Sequence, residues 1–476
     1  MVLSRPTDDQ RRPVSARPIL VIGLDGAEPS LVFDRWRGEL PTLDRLMQAG
    51  AHARLESTIP AITVPAWASM MTGLDPGQLG FYGFRNRLDR SYDHLAIANA
   101  ATVTQPRVWD RVSAAGGRVG LVSVPQTYPI RPLNGEVVSC FLTPSARSQF
   151  AHPASLKSEI EGWIEGEYLV DVPGFRSEDK ARILRDIYRM ADQHYEICRR
   201  LLARERYDFF MTVDMGIDRI QHAFWKFMDP RHPKHEPGSP FENAIHDYYV
   251  HVDARIAELL TLVPADTIVL VVSDHGAQAM QGGICINEWL VREGYLALDA
   301  YPETMTSMDA AGVSWQGTRA WGEGGYHGRV SLNVAGREPS GVVRPDLYET
   351  ELAALAARLE AIPDAEGRPI GSTAYRPEAI YREVRNVAPD LLVYFGPLTW
   401  RSVGSLGLRT VWTFENDIGP DDANHSQFGL FILHDPARPG GGRQLADQRI
   451  YDVAPTLLGW LGQPIPDGLR GRPMEL

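Results

Sequence analysis

The sequence predicts an α/β fold in which a mainly parallel central sheet is sandwiched by helices and carries cap or lid insertions. Three observations support this: short apolar runs bounded by Gly, Asp or Pro recur along the chain, helical segments separate them, and two of the runs end in acidic residues. Strands are expected at residues 19–24, 119–124, 209–213, 267–272, 391–394 and 428–433. Their near-continuous apolar character suits strands covered on both faces. Helices are expected at 43–48, 108–114, 181–203, 219–228, 244–262, 347–359 and 453–461. Residues 143–176 and 287–419 fit the strand–helix rhythm poorly, and the latter stretch is rich in Gly, Pro and Trp. Both are expected as cap insertions in a single catalytic domain spanning 18–476. Residues 1–17 are polar and Arg-rich, with Pro6 and Pro13, and are expected to form a flexible tail.

The 476 residues include 44% hydrophobic and 23% charged side chains, ample material for a buried sheet. A net charge of −12 argues against a nucleic-acid polymer as partner, because such binding relies on a basic surface. A small phosphate ester remains compatible, since bound cations supply local positive charge. Cys140, Cys198 and Cys285 lie far apart without CxxC spacing, which argues against a disulfide framework and a thiolate zinc site. No leader-like segment and no run of eighteen apolar residues is present, so no membrane span is expected and the cytoplasm is the expected compartment.

The polar residues cluster at strand ends. The first apolar run ends in Asp25-Gly26 and the run at 267–272 ends in Ser273-Asp274-His275-Gly276. In open α/β sheets, ligands bind where strand C-termini and helix N-termini face one crevice. A third element follows residues 209–213 with Asp214, Asp218 and His222. Positions i and i+4 share a helix face, so Asp218 and His222 are placed to close on one cation, with Asp214 as the alternative to Asp218. His425, in a polar loop preceded by Asp421-Asp422, would supply a third ligand to that cation. Carboxylates and imidazoles without thiolate suit Zn²⁺, and Mn²⁺ is compatible with the same donors. The segment Thr63-Val-Pro65-Ala-Trp67 through Gly73 reads as a helix, with Thr63 at the capping position and Gly73 as terminator. A hydroxyl there, beside a cation, is placed to attack phosphorus.

This ordered set resembles the alkaline phosphatase superfamily, and more closely its type I phosphodiesterase/nucleotide pyrophosphatase branch. Leu40-Pro-Thr-Leu-Asp-Arg-Leu46 with Gly50, Thr72-Gly-Leu-Asp-Pro76, Tyr451-Asp-Val-Ala-Pro-Thr456 and Gly471-Arg472 match that group as well. The resemblance implies two divalent metal ions, one held by Asp25, Thr63, Asp274 and His275, the other by Asp218, His222 and His425. It also implies threonine attack on phosphorus, a covalent intermediate and its hydrolysis by water. Two departures stand out: Ala66-Trp67 occupies the place of an asparagine after the Thr-x-Pro, and Leu79 that of a histidine. A haloacid-dehalogenase-type phosphatase is excluded, because Asp25-Gly26-Ala27 lacks the second aspartate that chemistry needs.

Candidate substrate contacts are His327 and Arg329, following the Gly324-Gly325 pair in a flexible lid, and Trp67, with Phe84 and Trp321, as stacking surfaces. His232, His235, His246 and His251 are read as surface residues. The expected partner is a small phosphate ester, a nucleotide among the candidates. A phosphomonoesterase and a phosphoryl transferase to an alcohol are the rival readings on the same residues.

Overall fold

The computed structural model describes residues 17–476; the expected tail at 1–17 lies outside them except for Arg17, which pairs with Asp435. The central sheet runs from edge to edge as Arg443–Gln444, Ala51–Glu56, Phe428–His434, Ile268–Val272, Ile19–Leu24, Phe209–Asp214, Val119–Val122, Gly135–Val138 and Ala151–His152, with Gln448–Arg449 also paired to Ala51–Glu56. The middle of the sheet is parallel: Ile19–Leu24 lies between Ile268–Val272 and Phe209–Asp214, and the next two strands continue in the same direction. Phe428–His434 is antiparallel to both its neighbours, and Ala151–His152 is an antiparallel edge. The three strands that end in acids are therefore side by side, and their C-terminal ends share one crevice. That shared edge places the site.

Two strands escape the apolar-run pattern. Ala51–Glu56 alternates small or apolar with polar residues, as a half-exposed strand does, and Gly135–Val138 is only four residues long. The run Leu391–Tyr394 is a strand, but not of the central sheet. It joins an antiparallel four-stranded sheet with Ala320–Glu323, Gly328–Leu332 and Thr373–Tyr375. An apolar run reports burial and leaves the partner open, which is why sequence order suggested the wrong sheet.

Helices Lys180–Arg204, Gly216–Met228 and Ala244–Leu260 pack on one another and cover a face of the main sheet. Residues 143–176 contribute Phe150, Leu156, Ile160, Tyr168 and Val172 to that same core, so this stretch belongs to the body of the protein. Most of 287–419 gathers around a second core that includes Ile286, Trp289, Leu290, Leu332, Leu355 and Phe395. No described helix is long and apolar enough to cross a membrane. All three cysteines are free and buried.

Candidate active site

Asp25 ends the first strand, where Gly26 turns the chain with φ +68°. A Cβ at Gly26 would lie 3.2 Å from Asp218 Oδ1, so glycine both adopts the left-handed turn and lets it approach the helix that carries Asp218. That helix starts at Gly216, three residues earlier than expected, and so includes Asp218 in its first turn with His222 one turn further on. Asp214 is committed elsewhere: its carboxylate accepts from the Tyr248 hydroxyl at 3.0 Å and from the Ile217 amide at 3.1 Å.

Thr63 is the first residue of the helix Thr63–Thr72; Ile62 holds the capping position in extended conformation. The Thr63 hydroxyl is thus not spent on capping. It lies 3.4 Å from His275 Nε2. Gly73, left-handed at φ +76°, ends this helix as its sequence implies. His425 sits in the strand Ala423–Ser426, where a loop was expected, and pairs opposite Ala277 in an antiparallel ribbon with Gly276–Ala279. Ribbon pairing lays the His425 ring on the His275 ring, with centroids 3.7 Å apart and planes 15° from parallel.

All seven predicted residues are buried and come together. Among the described residues, two groups hold donor atoms within 4.8 Å of one another: Asp25, Asp274 and His275, and Asp218, His275 and His425. His275 belongs to both, and His222 joins the second through an Nε2 to Asp218 Oδ1 distance of 3.2 Å. The His425 Nε2 is 3.9 Å from the same oxygen.

The six ligand-type side chains share one design: each is anchored on one side by a hydrogen bond and presents its other donor atom to the common space. Asp25 Oδ2 accepts from Trp67 Nε1 at 2.6 Å, and Asp274 Oδ1 from the Gly26 amide at 3.2 Å. Asp218 Oδ2 accepts from Arg219, which Asp171 holds in turn at 2.8 and 2.9 Å. His275 Nδ1 bonds the Gly276 carbonyl at 3.0 Å and His425 Nδ1 the Ala61 carbonyl at 2.8 Å. His222 Nδ1 bonds Asp421 at 2.7 Å and the Ala423 carbonyl at 3.1 Å. All three imidazoles therefore keep Nε2 for the centre, the arrangement by which outer partners fix the tautomer of a metal ligand. Asp25 Oδ1, Asp274 Oδ2 and His425 Nε2 are buried without a hydrogen-bond partner, a costly state that a cation relieves. The donor set fits divalent cations.

Electrostatics agree. Burial, then Asp274 and Asp218, push the Asp25 carboxyl well above its ordinary range, and burial followed by Asp218 does the same to Asp274. Burial also lowers His275 and His425, which keeps both rings neutral with a lone pair to offer. Burial opposes charge on His222 too, but Asp421, Tyr326 and Asp218 outweigh it and raise that ring.

Beside this centre opens a cleft of about 940 Å³, within the size range of small-molecule pockets. Ile62, Arg219 and Tyr326 connect the two, since they adjoin Thr63, adjoin Asp218 and stack on His222 and His425 respectively. His327, Arg329, Phe84 and Trp321 line it. His327 is buried with Nε2 unpartnered, and burial together with Arg329 pushes its pKa down to about 3. Arg329 pairs with Glu323 at 2.8 Å. The flexible lid is not found: Gly328–Leu332 is a strand, and Gly325 exchanges backbone hydrogen bonds with Ser402 at 2.8 and 2.9 Å. Trp67 is not a stacking surface either. It is 1% exposed, absent from the cleft lining, and committed to Asp25. His232, read as a surface residue, is buried with Nε2 bonded to the Asp422 carbonyl at 3.0 Å.

The model of the type I phosphodiesterase/nucleotide pyrophosphatase family matches residues 19–418. The chain belongs to this family. It is accordingly a phosphoric ester hydrolase of the phosphodiesterase/nucleotide pyrophosphatase type, with the α/β fold of the alkaline phosphatase superfamily. No curated protein sequence matches it. Among solved structures it is similar to human ectonucleotide pyrophosphatase/phosphodiesterase 5, at TM-score 0.56 and 13% identity over 94% of this chain and 96% of that one. An inactive threonine-to-alanine form of the murine protein in complex with AMP aligns at TM-score 0.55 and 14% identity, with the same coverage of 94% and 96%. Phosphonoacetate hydrolase from Sinorhizobium meliloti 1021, in complex with phosphonoformate, aligns at TM-score 0.58 and 18% identity over 96% of this chain and 97% of that one. At these identities the structural likeness speaks for the fold.

At the two positions that the sequence marks as departures from the resemblance, the structure has apolar packing. Ala66 is buried beside Trp67, and Leu79 sits in a cluster with Val64, Ala68, Phe81, Ala98 and Val103. Residues the sequence reading missed are Arg219 and Asp421, which hold Asp218 and His222, and Tyr326. Asp421 was visible as half of an acidic pair, but its direction toward His222 was not.

Proposed function

We propose that Asp25, Thr63, Asp274 and His275 hold one divalent cation and Asp218, His222 and His425 a second, and that Thr63 is the nucleophile in hydrolysis of a small phosphodiester. The observation that carries this is the convergence of three imidazole Nε2 atoms and three carboxylates, each anchored from behind, with the Thr63 hydroxyl 3.4 Å from the His275 Nε2 that both groups share. Carboxylate and imidazole donors favour Zn²⁺, with Mn²⁺ as the alternative. When bound, such cations neutralise the buried carboxylates, favour the threonine alkoxide and offset charge on the phosphate oxygens. The Thr63 oxygen bonds to phosphorus while the ester P–O bond breaks, the alcohol leaves, and water then displaces Thr63 from the phosphothreonine. That a threonine-to-alanine form of the murine relative is inactive supports this role.

The cleft favours a diester over a monoester. Arg176, Arg219 and Arg401 line it, but Asp421 pairs with Arg176 at 2.9 Å and Arg401 at 3.3 Å, while Asp171 and Asp218 occupy Arg219. Glu323 holds Arg329 at 2.8 Å, so among the described residues Arg85 is the one lining arginine without a carboxylate partner to meet the extra charge of a monoester, whereas Phe84, Phe141, Leu142, Trp315 and Trp321 offer room and apolar surface to a second ester group. A nucleotide is one candidate, given the AMP bound by the murine relative. Residues 287–419 act as the cap that shapes this cleft on a single catalytic body, and the free cysteines suit a reducing, cytoplasmic compartment.

Rates on bis-p-nitrophenyl phosphate, p-nitrophenyl phosphate and a nucleotide p-nitrophenyl ester test the reading. Diester turnover is expected to dominate; dominant monoester turnover overturns the substrate class. Thr63→Ala, with metal content measured, should abolish turnover, and full activity with metal retained would sink the mechanism. Added acceptor alcohols should leave the hydrolysis product unchanged; alcohol phosphorylation would show a transferase.

A further inference from the structure

Tyr326 is the residue that best couples the candidate metal centre to the cleft. Its ring lies on His425, with centroids 4.0 Å apart, and on His222 at 5.0 Å and 24°. The Asn424 side chain fixes its backbone by donating to its carbonyl at 3.1 Å. Its hydroxyl accepts a hydrogen bond from Arg176 Nη2, and Arg176 is itself held by Asp421. A phenol that accepts from a guanidinium still has its own hydrogen to give. Among the described residues that hydrogen has no protein acceptor, and both Tyr326 and Arg176 line the cleft.

An acceptor belongs there, and it should be anionic. A phenol polarised by an adjacent guanidinium is a strengthened donor, best matched by a phosphate oxygen.

We infer that the Tyr326 hydroxyl, oriented by Arg176, donates to a non-bridging oxygen of the phosphoryl group held at Thr63. This rests on the phosphodiesterase reading above. A hydroxyl placed in this way costs nothing to reorganise when charge on that oxygen grows in the transition state.

Tyr326→Phe removes only the hydroxyl and keeps the ring on His222 and His425. With bis-p-nitrophenyl phosphate, kcat/KM should fall about 100-fold, mostly in kcat, as for loss of one oxyanion donor. Zinc content and thermal stability should match the wild type, which a merely structural role of the hydroxyl would not predict together with that loss. Calorimetric titration with inorganic phosphate should show weaker binding to the zinc-loaded variant by about 10-fold, consistent with loss of one charge-assisted hydrogen bond. A kcat/KM and a phosphate Kd both within about twofold of wild type overturn the inference. A wild type that binds phosphate but turns over no diester overturns the parent reading instead, and the phosphate titration still decides Tyr326.

Discussion

Replacing Asp421 with asparagine tests whether the centre depends on what stands behind its ligands. Asp421 is buried and takes His222 Nδ1 at 2.7 Å on one oxygen, and Arg176 Nε at 2.9 Å and Arg401 Nη1 at 3.3 Å on the other. Burial opposes its charge, but His222 and Arg176 together hold its carboxyl well below the usual range. The amide preserves shape and removes the charge. Loss of an outer partner of this kind costs about 10–100-fold in metal affinity or activity. The Ala423 carbonyl, 3.1 Å from the same His222 nitrogen, keeps the ring partly oriented, so the lower part of that range is expected: about 10- to 30-fold, or roughly 1.4–2 kcal/mol. The assay is competition against a chromogenic chelator, reading the weaker of two metal equivalents, with diester kcat/KM at low and saturating metal. Activity should recover in part as metal is raised. Asp435→Asn, which removes a carboxylate charge that pairs with Arg17 and caps the Ala437 amide and lies outside the group of site residues, serves as the control and should leave both readings unchanged. A metal Kd in Asp421→Asn indistinguishable from wild type would refute the argument that His222 is tuned from behind.

Two further outcomes follow from the same geometry. Trp67→Phe deletes the 2.6 Å bond to Asp25, a hydrogen bond to a charged group worth about 1.5–3 kcal/mol, so diester kcat/KM should fall at least about 10-fold; unchanged kinetics would show that Asp25 is held without it. His194 is buried between Ser123 at 3.1 Å and the Leu169 carbonyl at 2.9 Å, and burial lowers its pKa from 6.5 to about 4. Between those values the unfolded chain binds the extra proton, so this stability is present above pH 6.5 and is lost as pH falls toward 4. Acidification from pH 7 to pH 5 should cost about 2 kcal/mol more in wild type than in His194→Gln, read from denaturant midpoints, and equal losses would refute it.

Much of the site was legible because it obeys local rules. Asp25, Asp274 and His275 each follow a buried apolar run, and Asp218 and His222 are separated by one helical turn. Thr63 reads from sequence as the helix cap and is instead the first helical residue: one residue of helix phase separates a capping hydroxyl from a free one, and boundaries are the weakest part of any reading by pattern. What stayed hidden is non-local. Asp421 looks like any acid of a polar loop until the fold turns it onto a histidine 199 residues away in sequence. Trp67 reads as a ligand stacker until packing buries it under the first strand, and Leu391–Tyr394 announces a strand without naming its sheet.

The ribbon that seats His425 on His275 has a topological meaning. Its last rung pairs Ala279 with Ala423, so the intervening chain departs and returns at the same place. To the catalytic body that chain is one hairpin turn, however much it holds. Loop-closure entropy grows only with the logarithm of length, so additions to such a turn cost little. Meanwhile a slip of one residue in the ribbon would swing His425 to the opposite face. His425 is thus indexed against His275 by strand register, while new cleft walls can be grafted between Ala279 and Ala423 so long as Tyr326 and Asp421, which lie in that stretch and touch His222, are kept.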